Sequence, residues 1–345
     1  MKDTKYNIHA TNINGLGAIN VANEILTSLL PLNNIEKIYY SNGVKITTAN
    51  DNYCFYKRIL PNPISRLIEI LFSRLFFENI PTLVLGDIPL RGINNQILYV
   101  HQSNLVKPSI NKFSGNNLKF KLLRLLFNFN LKYVKSIIVQ TDYMRENLIK
   151  SYPKLKCPIK VIPLPPINVE KANIENIING PIKLIYPASY YKHKNHYFLN
   201  ELSEVYKTLK FEVWVTLKKE DFKKYASLPF VKNLGILSHN EVIEKYKISN
   251  GLVNFSNLES FCLPLVEAIY LNLPILTIKR DYSKWMCEES AYYFEDSMSF
   301  EKSLKQLTGD IVNNSQKCLE KPKKKFKFSW VEIGGKINSY FRKTQ

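Results

Sequence analysis

Cysteine is scarce in this sequence and never occurs in pairs. The five cysteines stand at positions 54, 157, 262, 287 and 318 of 345 residues, and no two of them form a CxxC pair. An odd number of widely spaced cysteines argues against a disulfide framework and against a zinc site built on cysteine pairs. We therefore expect a chain that folds in a reducing compartment, the cytoplasm.

Long hydrophobic runs are missing as well. No stretch of about 18 uncharged apolar residues occurs, so we expect no transmembrane helix. The opening MKDTKYNIHATNI has no apolar segment typical of a secretory signal, so we expect no signal peptide. The 345 residues, 45% of them hydrophobic, are enough for two globular domains that each bury a core.

Arginine is rare beside lysine, yet the chain is strongly basic. Eight of its 48 basic residues are arginine, and the formal net charge is +19. Such a charge favours a polyanionic partner, which includes nucleic acid, an anionic lipid surface or an anionic substrate. Neither zinc-finger spacing nor an aromatic RNA-binding motif is present, and we expect no nucleic acid. A basic polyanion-binding or nucleic-acid-binding protein on a Rossmann scaffold stays an alternative.

Strands and helices alternate along both halves of the chain, which predicts βαβ units and an α/β fold. The proline-rich stretch that begins at Pro163 separates the halves. We predict an N-terminal domain at 1–165, a linker at 166–181, a C-terminal domain at 182–326 and a last helix at 327–345 anchored by Trp330. The predicted strands are residues 6–10, 36–40, 82–85, 97–100, 136–139, 182–186, 211–215, 251–255, 274–278 and 291–294.

The most informative stretch is residues 254–274, NFSNLESFCLPLVEAIYLNLP, which follows an apolar strand. Proline at 264 indicates that a helix begins near Leu263. A helix N-terminus offers backbone N–H groups and a positive dipole end to a phosphate. Glu259 would precede this phosphate-binding helix N-terminus, and Glu267 would lie in the first helical turn. The pattern predicts a site for a phosphate-bearing ligand whose hydroxyls the carboxylates bind.

Two further strand ends carry candidate residues. Gly15 and Gly17 lie in the loop between the first strand and a helix predicted from Ile19, where glycine lets backbone approach a ligand closely. A simple tight turn explains a lone GxG equally well. His101 follows a later strand, at the edge of an α/β sheet where ligands collect. A structural histidine is the plainer alternative.

Lysines follow the first strand of the second half. Lys192 and Lys194 precede Asn195, which is predicted to cap a helix that runs to about Leu209. A cation beside a helix N-terminus would attract a diphosphate. A solvated basic loop is the alternative interpretation.

One helix of the first half has a basic stripe. In the segment from Leu118 to Lys135, we expect one face opposite leucine and phenylalanine to contain Lys121, Arg124, Asn128, Lys132 and Lys135. A basic amphipathic helix of this kind can lie on an anionic membrane surface. A helix packed on the core, with a merely solvated basic face, is an equally good interpretation.

The string ESFCLPLVE at residues 259–267 resembles the E-x7-E signature of retaining glycosyltransferases of the family 4 type, such as mannosyl- and related transferases of O-antigen and capsule synthesis. The resemblance implies a GT-B fold: two Rossmann-like domains facing across a cleft, with a C-terminal helix that crosses back to the N-terminal domain. It implies transfer from a nucleotide-sugar donor to a glycan or lipid-linked acceptor, at the inner face of the membrane.

The resemblance also implies roles for the candidate residues. His101, Lys194 and Glu259 would be catalytic, with His101 facing the donor sugar, Glu259 holding its hydroxyls and Lys194 the diphosphate. The donor would also contact the Gly15–Gly17 loop, Lys192 and the turn at the helix start, and Glu267 would hold the ribose. The donor-contacting residues of that turn are Phe261, Cys262 and Leu263. No D-x-D motif occurs, so we expect neither a metal nor a cofactor.

Two positions depart from the family pattern. An arginine expected several residues before Lys194 is absent, with Ala188 and Ser189 in that region. Cys262 occupies a position that is often glycine, and a side chain disfavours positive φ. A catalytically degenerate partner subunit is therefore a further alternative.

Overall fold

The computed structural model describes residues 5–13, 15–41, 43–44, 54–57, 63–169 and 180–342. The chain divides into two compact units. The N-terminal unit consists of Met1–Ile167 and Phe328–Gln345, and the C-terminal unit is Asn168–Lys327. Most of the predicted linker, at 170–179, lies outside the described residues.

The N-terminal unit is built on a seven-stranded sheet in the order β3-β2-β1-β4-β5-β6-β7, and every strand pair is parallel. Parallel strands are covered by helices on both faces, and β1 is buried along its whole length, including the polar side chains of Asn7 and His9. The strands are β1 Tyr6–Ala10, β2 Ile35–Tyr40, β3 Cys54–Lys57, β4 Thr82–Val84, β5 Gln96–Tyr99, β6 Val134–Val139 and β7 Ile159–Val161. The helices are α1 Leu16–Leu29, α2 Pro63–Leu71, α3 Ser73–Phe76, α4 Leu118–Asn130, α5 Asp142–Ser151 and, from the end of the chain, α14 Trp330–Arg342.

The C-terminal unit repeats this plan with six strands in the order β10-β9-β8-β11-β12-β13, again all parallel. Its strands are β8 Ile182–Tyr186, β9 Phe211–Val215, β10 Val231–Asn233, β11 Gly251–Asn254, β12 Ile275–Ile278 and β13 Tyr292–Phe294. Its helices are α6 Phe198–Glu201, α7 Ser203–Thr208, α8 Lys219–Phe222, α9 His239–Lys247, α10 Leu263–Leu271, α11 Asp281–Cys287, α12 Ser297–Val312 and α13 Glu320–Lys323.

Helix α14 returns to the N-terminal unit and packs on α1. Gly334 allows close approach, because a Cβ there would lie 2.6 Å from Ser28 Oγ. The ring of Phe341 stacks on that of Tyr6, with centroids 3.9 Å apart. At the start of the helix, Trp330 Nε1 donates to the carbonyl oxygen of Pro166 at 3.2 Å. The last helix therefore completes the core of the first unit.

Both sheets have a switch point, which is a pair of neighbouring strands where the strand order reverses. From one member of the pair the chain adds strands toward one edge of the sheet, and from the other member toward the opposite edge. In the N-terminal unit it lies between β1 and β4, and in the C-terminal unit between β8 and β11. Ligands of α/β proteins bind outside the carboxyl ends of the strands at such points. The loops after these four strands are therefore where functional side chains should be sought.

The predicted basic stripe is wrong. Helix α4 ends at Asn130, and Lys135 belongs to strand β6. Arg124 is buried, and its Nη1 donates to the carbonyl oxygens of Asn104 and Gly115, both at 2.9 Å. Buried carbonyl groups need donors, so tertiary hydrogen bonds turn this side chain inward. Within the described residues, no helix is long and apolar enough to cross a membrane.

Candidate functional site

The principal candidate site lies at the switch point of the C-terminal unit. Lys194 follows β8, Glu259 follows β11, and Lys194 Nζ donates to Glu259 Oε1 at 2.6 Å. The two side chains are 20% and 9% exposed. Two residues that the sequence singled out separately therefore form one largely buried ion pair, at the sheet edge where a ligand is expected.

The carboxylate of Glu259 favours the charged state of Lys194. Burial lowers the pKa of Lys194, but the charge of Glu259 and its hydrogen bond outweigh this, and the net pKa is raised. The neighbouring His193 has its pKa lowered, mainly by burial, so it is neutral at pH 7. Lys194 is thus a fixed positive charge at this edge.

Hydrogen bonds hold the loops that carry the pair. The hydroxyl of Tyr186, at the end of β8, donates to the carbonyl oxygen of Lys194 and lies 3.1 Å from Ser256 Oγ. From the other side, Tyr282 donates to the carbonyl oxygen of Ser256 at 2.6 Å. Asn254 Nδ2 in turn donates to the Tyr282 hydroxyl at 2.8 Å. This buried network joins the two loops and fixes the separation of lysine and carboxylate.

Glu267 lies on α10, buried within a second polar cluster. The helix begins at Leu263 as predicted, but Glu267 is its fifth residue and thus lies in the second turn, not the first. Its Oε1 is 2.8 Å from His239 Nε2, and its Oε2 accepts from the Tyr246 hydroxyl at 2.8 Å. Each carboxylate oxygen can accept two hydrogen bonds, so Glu267 retains the capacity to accept from ligand hydroxyls.

The turn that starts α10 contains Phe261, Cys262 and Leu263. Cys262 has φ −104° and ψ 94°, an ordinary extended conformation that any residue adopts. The backbone at Cys262 therefore does not require the positive φ that a glycine at this position would permit. Burial raises the pKa of the Cys262 thiol far above its usual range, which makes it unreactive. The ring of Phe261 packs edge-on against Phe326, with centroids 5.9 Å apart, and steadies the turn.

The predicted helix after Lys194 is wrong in its start. Residues Lys192–Lys194 form a 3-10 turn, and Asn195 ends it in the left-handed conformation at φ 54°. Helix α6 begins only at Phe198, so Asn195 is not its N-cap. Lys194 is therefore paired with Glu259 and does not lie at the N-terminus of the following helix. Lys192 is exposed on the same turn.

The N-terminal unit places its own candidates at its switch point. Gly15 is the N-cap of α1 with φ 97°, a conformation that favours glycine, and open space surrounds the position where a Cβ would stand. Gly17 lies inside the helix rather than in the loop, because α1 begins at Leu16. The backbone approach expected of both glycines therefore falls to Gly15.

His101 follows β5 and is held by the carboxylate of Asp87, which was not among the predicted site residues. Asp87 Oδ2 lies 3.2 Å from His101 Nε2, and Asp87 Oδ1 accepts from the backbone N–H groups of His101 at 2.7 Å and Gln102 at 2.9 Å. Burial raises the pKa of Asp87, although His101 and these amides oppose the shift. The sequence signal for Asp87 is its place two residues after the predicted strand at 82–85.

His239 and Tyr246 were missed for a similar reason. The Ser238-His239-Asn240-Glu241 string forms a capping box at the start of α9, in which Ser238 and Glu241 bond each other's backbone N–H groups. Its histidine also reaches Glu267, which lies 28 positions away in the sequence. Among the described residues, no group of three or more His, Cys, Asp or Glu side chains is placed to hold a metal.

Solved structures with the same architecture extend over the whole chain. Sucrose-phosphate synthase from Thermosynechococcus elongatus has a TM-score of 0.72 at 11% identity, covering 99% of this chain and 98% of that one. WaaG, a glycosyltransferase involved in lipopolysaccharide biosynthesis, has a TM-score of 0.70 at 12% identity, covering 97% and 99%. The pneumococcal O-GlcNAc transferase GtfA, solved with UDP and GlcNAc, has a TM-score of 0.66 at 11% identity, covering 99% of both chains.

These likenesses establish the fold. The chain has the GT-B fold, with two Rossmann-like parallel-sheet domains and a C-terminal helix that returns to the first, as predicted. Neither a family model nor a curated protein sequence matches the chain.

Proposed function

We propose that this protein is a glycosyltransferase that moves a sugar from a nucleoside-diphosphate sugar to a hydroxyl group of a glycan. The observation that carries the proposal is the Lys194–Glu259 pair at the switch point of a GT-B C-terminal domain. A buried lysine beside a carboxylate offers complementary contacts to a donor. The lysine matches a diphosphate, and the carboxylate matches sugar hydroxyls.

The other residues of the C-terminal unit would complete donor binding. Glu267, oriented by His239 and Tyr246, would accept hydrogen bonds from the ribose hydroxyls. The backbone at the start of α10, from Phe261 to Leu263, would face the phosphates. Lys192, exposed on the turn before Lys194, would add positive potential. These assignments rest on the family resemblance of residues 259–267 and agree with the positions of the side chains.

We further propose a retaining, metal-independent reaction of the family 4 type. As the glycosidic bond breaks, negative charge develops on the departing diphosphate, and Lys194 would stabilise it. The acceptor would attack from the same face, and the leaving phosphate oxygen would take its proton. His101, oriented by Asp87, would contact the donor sugar or the acceptor. Activity should therefore survive EDTA, and the anomeric configuration of the donor should be found in the product.

The acceptor is proposed to be a lipid-linked glycan of surface polysaccharide synthesis, O-antigen or capsule, glycosylated at the cytoplasmic face of the membrane. The net charge of +19 supports work beside an anionic surface. Incubation with radiolabelled donors and membrane extracts tests it, and label in the lipid phase is the expected result.

Nucleotide binding is the first test. Thermal-shift measurements with UDP, GDP, dTDP and CDP should show stabilisation by at least one of them. Glu267→Gln is preferred to alanine, because glutamine keeps the side-chain volume and an acceptor for Tyr246. Glu244→Gln is the matched control, since Glu244 is exposed and forms a surface ion pair with Lys247 on the same helix.

The outcomes separate the alternatives. Stabilisation that Glu267→Gln weakens and Glu244→Gln leaves intact supports the donor site. Binding without donor hydrolysis or transfer points to the catalytically degenerate subunit. No response to any nucleotide, together with salt-sensitive DNA binding, would replace the proposal with the polyanion-binding alternative.

A further inference from the structure

Arg280 lies at the carboxyl edge of the C-terminal sheet, two residues after the end of β12. Strand β12 is the neighbour of β11, which in turn is the neighbour of β8. Asn254 of β11 is in register with Thr277 of β12. Asn257 and Arg280 each lie three positions further along, so these two residues leave the sheet side by side. Arg280 therefore belongs to the edge where the buried ion pair lies, on the third of three adjacent strands.

The guanidinium of Arg280 is fixed against the loop after β11. Its Nε and Nη2 both donate to Oδ1 of Asn257, at 3.2 and 2.7 Å, and its Nη1 donates to the carbonyl oxygen of Lys279 at 2.9 Å. The backbone N–H of Asn257 in turn donates to the carbonyl oxygen of His193 at 2.7 Å. His193 is the residue before Lys194. A single asparagine therefore connects Arg280 to the turn that carries the lysine.

The backbone of Arg280 is held from the other side by Ser283. This serine is fully buried in the first turn of α11. Its Oγ accepts from the Arg280 backbone N–H at 3.1 Å and donates to the Arg280 carbonyl oxygen at 2.9 Å. Burial lowers the pKa of the half-buried guanidinium, and Tyr282, Glu295 and Asp281 oppose the shift. Arginine stays protonated at pH 7, so Arg280 is a positive charge in a fixed place.

Charge balance at this edge calls for such a group. Lys194 is hydrogen-bonded to Glu259, so the charges of the two side chains cancel. His193 is neutral at pH 7, and Lys192 is exposed on a turn at the surface. A diphosphate carries several negative charges, and preorganised cations stabilise them best. A diphosphate bound here would therefore need a further fixed cation, and Arg280 is placed to supply it.

We propose that Arg280 is a second diphosphate-binding cation, which takes the place of the arginine that is absent before Lys194. It would act from β12, on the other side of β11 from the strand that leads to the lysine. Asn257 would hold the guanidinium without neutralising it, because an amide oxygen carries no net charge. A guanidinium is also more weakly hydrated than an ammonium, so it loses less solvation when a phosphate covers it. The inference rests on the proposed function and adds to it a residue outside the string at 259–267.

Two variants separate the charge of Arg280 from its part in supporting the loop. Arg280→Met removes the charge and the hydrogen bonds to Asn257, whereas Asn257→Ala removes the same bonds and leaves the charge. Arg280→Met should raise Kd for a diphosphate about tenfold or more, because a hydrogen bond to a charged group is lost. Asn257→Ala should raise this Kd about threefold or less. Should Arg280→Met melt earlier than the wild type, Arg280→Gln replaces it, since glutamine can still donate to Asn257.

Lys279→Met is the matched control, because it removes an equal charge from the neighbouring position. Lys279 is exposed, and its Nζ lies 3.3 Å from Glu295 Oε1. This variant should bind diphosphates like the wild type. A loss of affinity in Arg280→Met that Lys279→Met does not share then reports the position of the charge and not the net charge of the protein.

Isothermal titration calorimetry of the full chain with inorganic pyrophosphate, UDP, GDP, dTDP and CDP tests the inference. Pyrophosphate and any nucleotide that binds should lose affinity by the same factor in Arg280→Met, because only their shared diphosphate meets the charge. Kd values in Arg280→Met that equal those of the wild type, of Lys279→Met or of Asn257→Ala would overturn the inference.

The same titrations distinguish this inference from the proposed function. Nucleotide binding that Arg280→Met leaves intact would overturn the inference and support the donor site. Pyrophosphate binding that depends on Arg280, without a response to any nucleotide, would support the inference and contradict the proposed function. Wild-type protein that binds neither pyrophosphate nor a nucleotide would contradict both.

Discussion

Replacing the two members of the Lys194–Glu259 pair should affect nucleotide binding in opposite directions. Lys194→Met removes the charge that would meet the diphosphate, and a hydrogen bond to a charged group contributes about 1.5–3 kcal/mol. At about 1.4 kcal/mol per factor of ten, Kd for the nucleoside diphosphate should rise about 10- to 150-fold. Glu259→Gln instead releases the lysine, so this Kd should stay the same or fall, while sugar transfer is lost.

Measurements of stability separate the contribution of this pair to folding from its contribution to nucleotide binding. Each single variant leaves one charge in a site where the side chains are only 20% and 9% exposed. Loss of one partner of a buried pair costs about 3–5 kcal/mol, and the remaining exposure here reduces this to about 2 kcal/mol. The double variant Lys194→Met/Glu259→Gln carries no unpaired charge, so most of this stability should return. Its nucleotide binding should not.

Isothermal titration calorimetry with the preferred nucleotide measures Kd, and chemical denaturation measures the free energy of unfolding. The reasoning is refuted if Lys194→Met binds the nucleotide as tightly as the wild type. It is equally refuted if Glu259→Gln and Lys194→Met weaken binding to the same extent, because the pair would then act only as a structural support. Glu244→Gln, on the exposed side of α9, again serves as the control.

Three further outcomes are expected. Asp87→Asn should lower kcat about tenfold with little change in donor KM, since a misoriented His101 costs about 1.4 kcal/mol of transition-state stabilisation; an unchanged kcat would assign Asp87 to folding alone. Burial lowers the pKa of His196 to about 4, below its value in the unfolded chain. The contribution of the neutral imidazole to folding stability is therefore complete above pH 6.5 and is lost as the pH falls toward 4. The free energy of unfolding of the wild type, measured by chemical denaturation, should therefore fall by about 2 kcal/mol between pH 7.5 and 5, whereas that of His196→Phe should not. Parallel pH profiles of the two unfolding free energies would contradict this. Gly334→Leu should destabilise the N-terminal unit by about 2 kcal/mol or more through collision with Ser28, measured by thermal melting against Gly335→Leu, where a Cβ meets open space.

Much of the fold was predictable because buried parallel strands have a local signature. The apolar run before Glu259 is strand β11, and the predictions for β1, β8 and β9 match their observed bounds. Strands β3, β7 and β10 were missed: each lies at a sheet edge and contains a lysine, so it lacks the continuous apolar run of a central strand.

The site was predictable only where a motif is continuous in sequence. Glu259 and Glu267 belong to one string, whereas Asp87 and His101 are 14 positions apart and meet through the pairing of β4 with β5. His239 on α9 and Glu267 on α10 are 28 positions apart and meet only in the folded chain. Arg124 shows the limit of helical patterning, since buried carbonyl groups of other segments decide where its side chain points.

The stacking of Phe341 on Tyr6 has a consequence for how the chain is made. Tyr6 opens β1 and Phe341 lies in α14, so the whole C-terminal unit separates the two stacked rings in the sequence. During translation, α1 must wait with its α14-facing surface uncovered until the whole C-terminal unit has emerged. Chaperone dependence and sensitivity to C-terminal truncation or bulky C-terminal fusions should therefore appear in the first domain rather than the second.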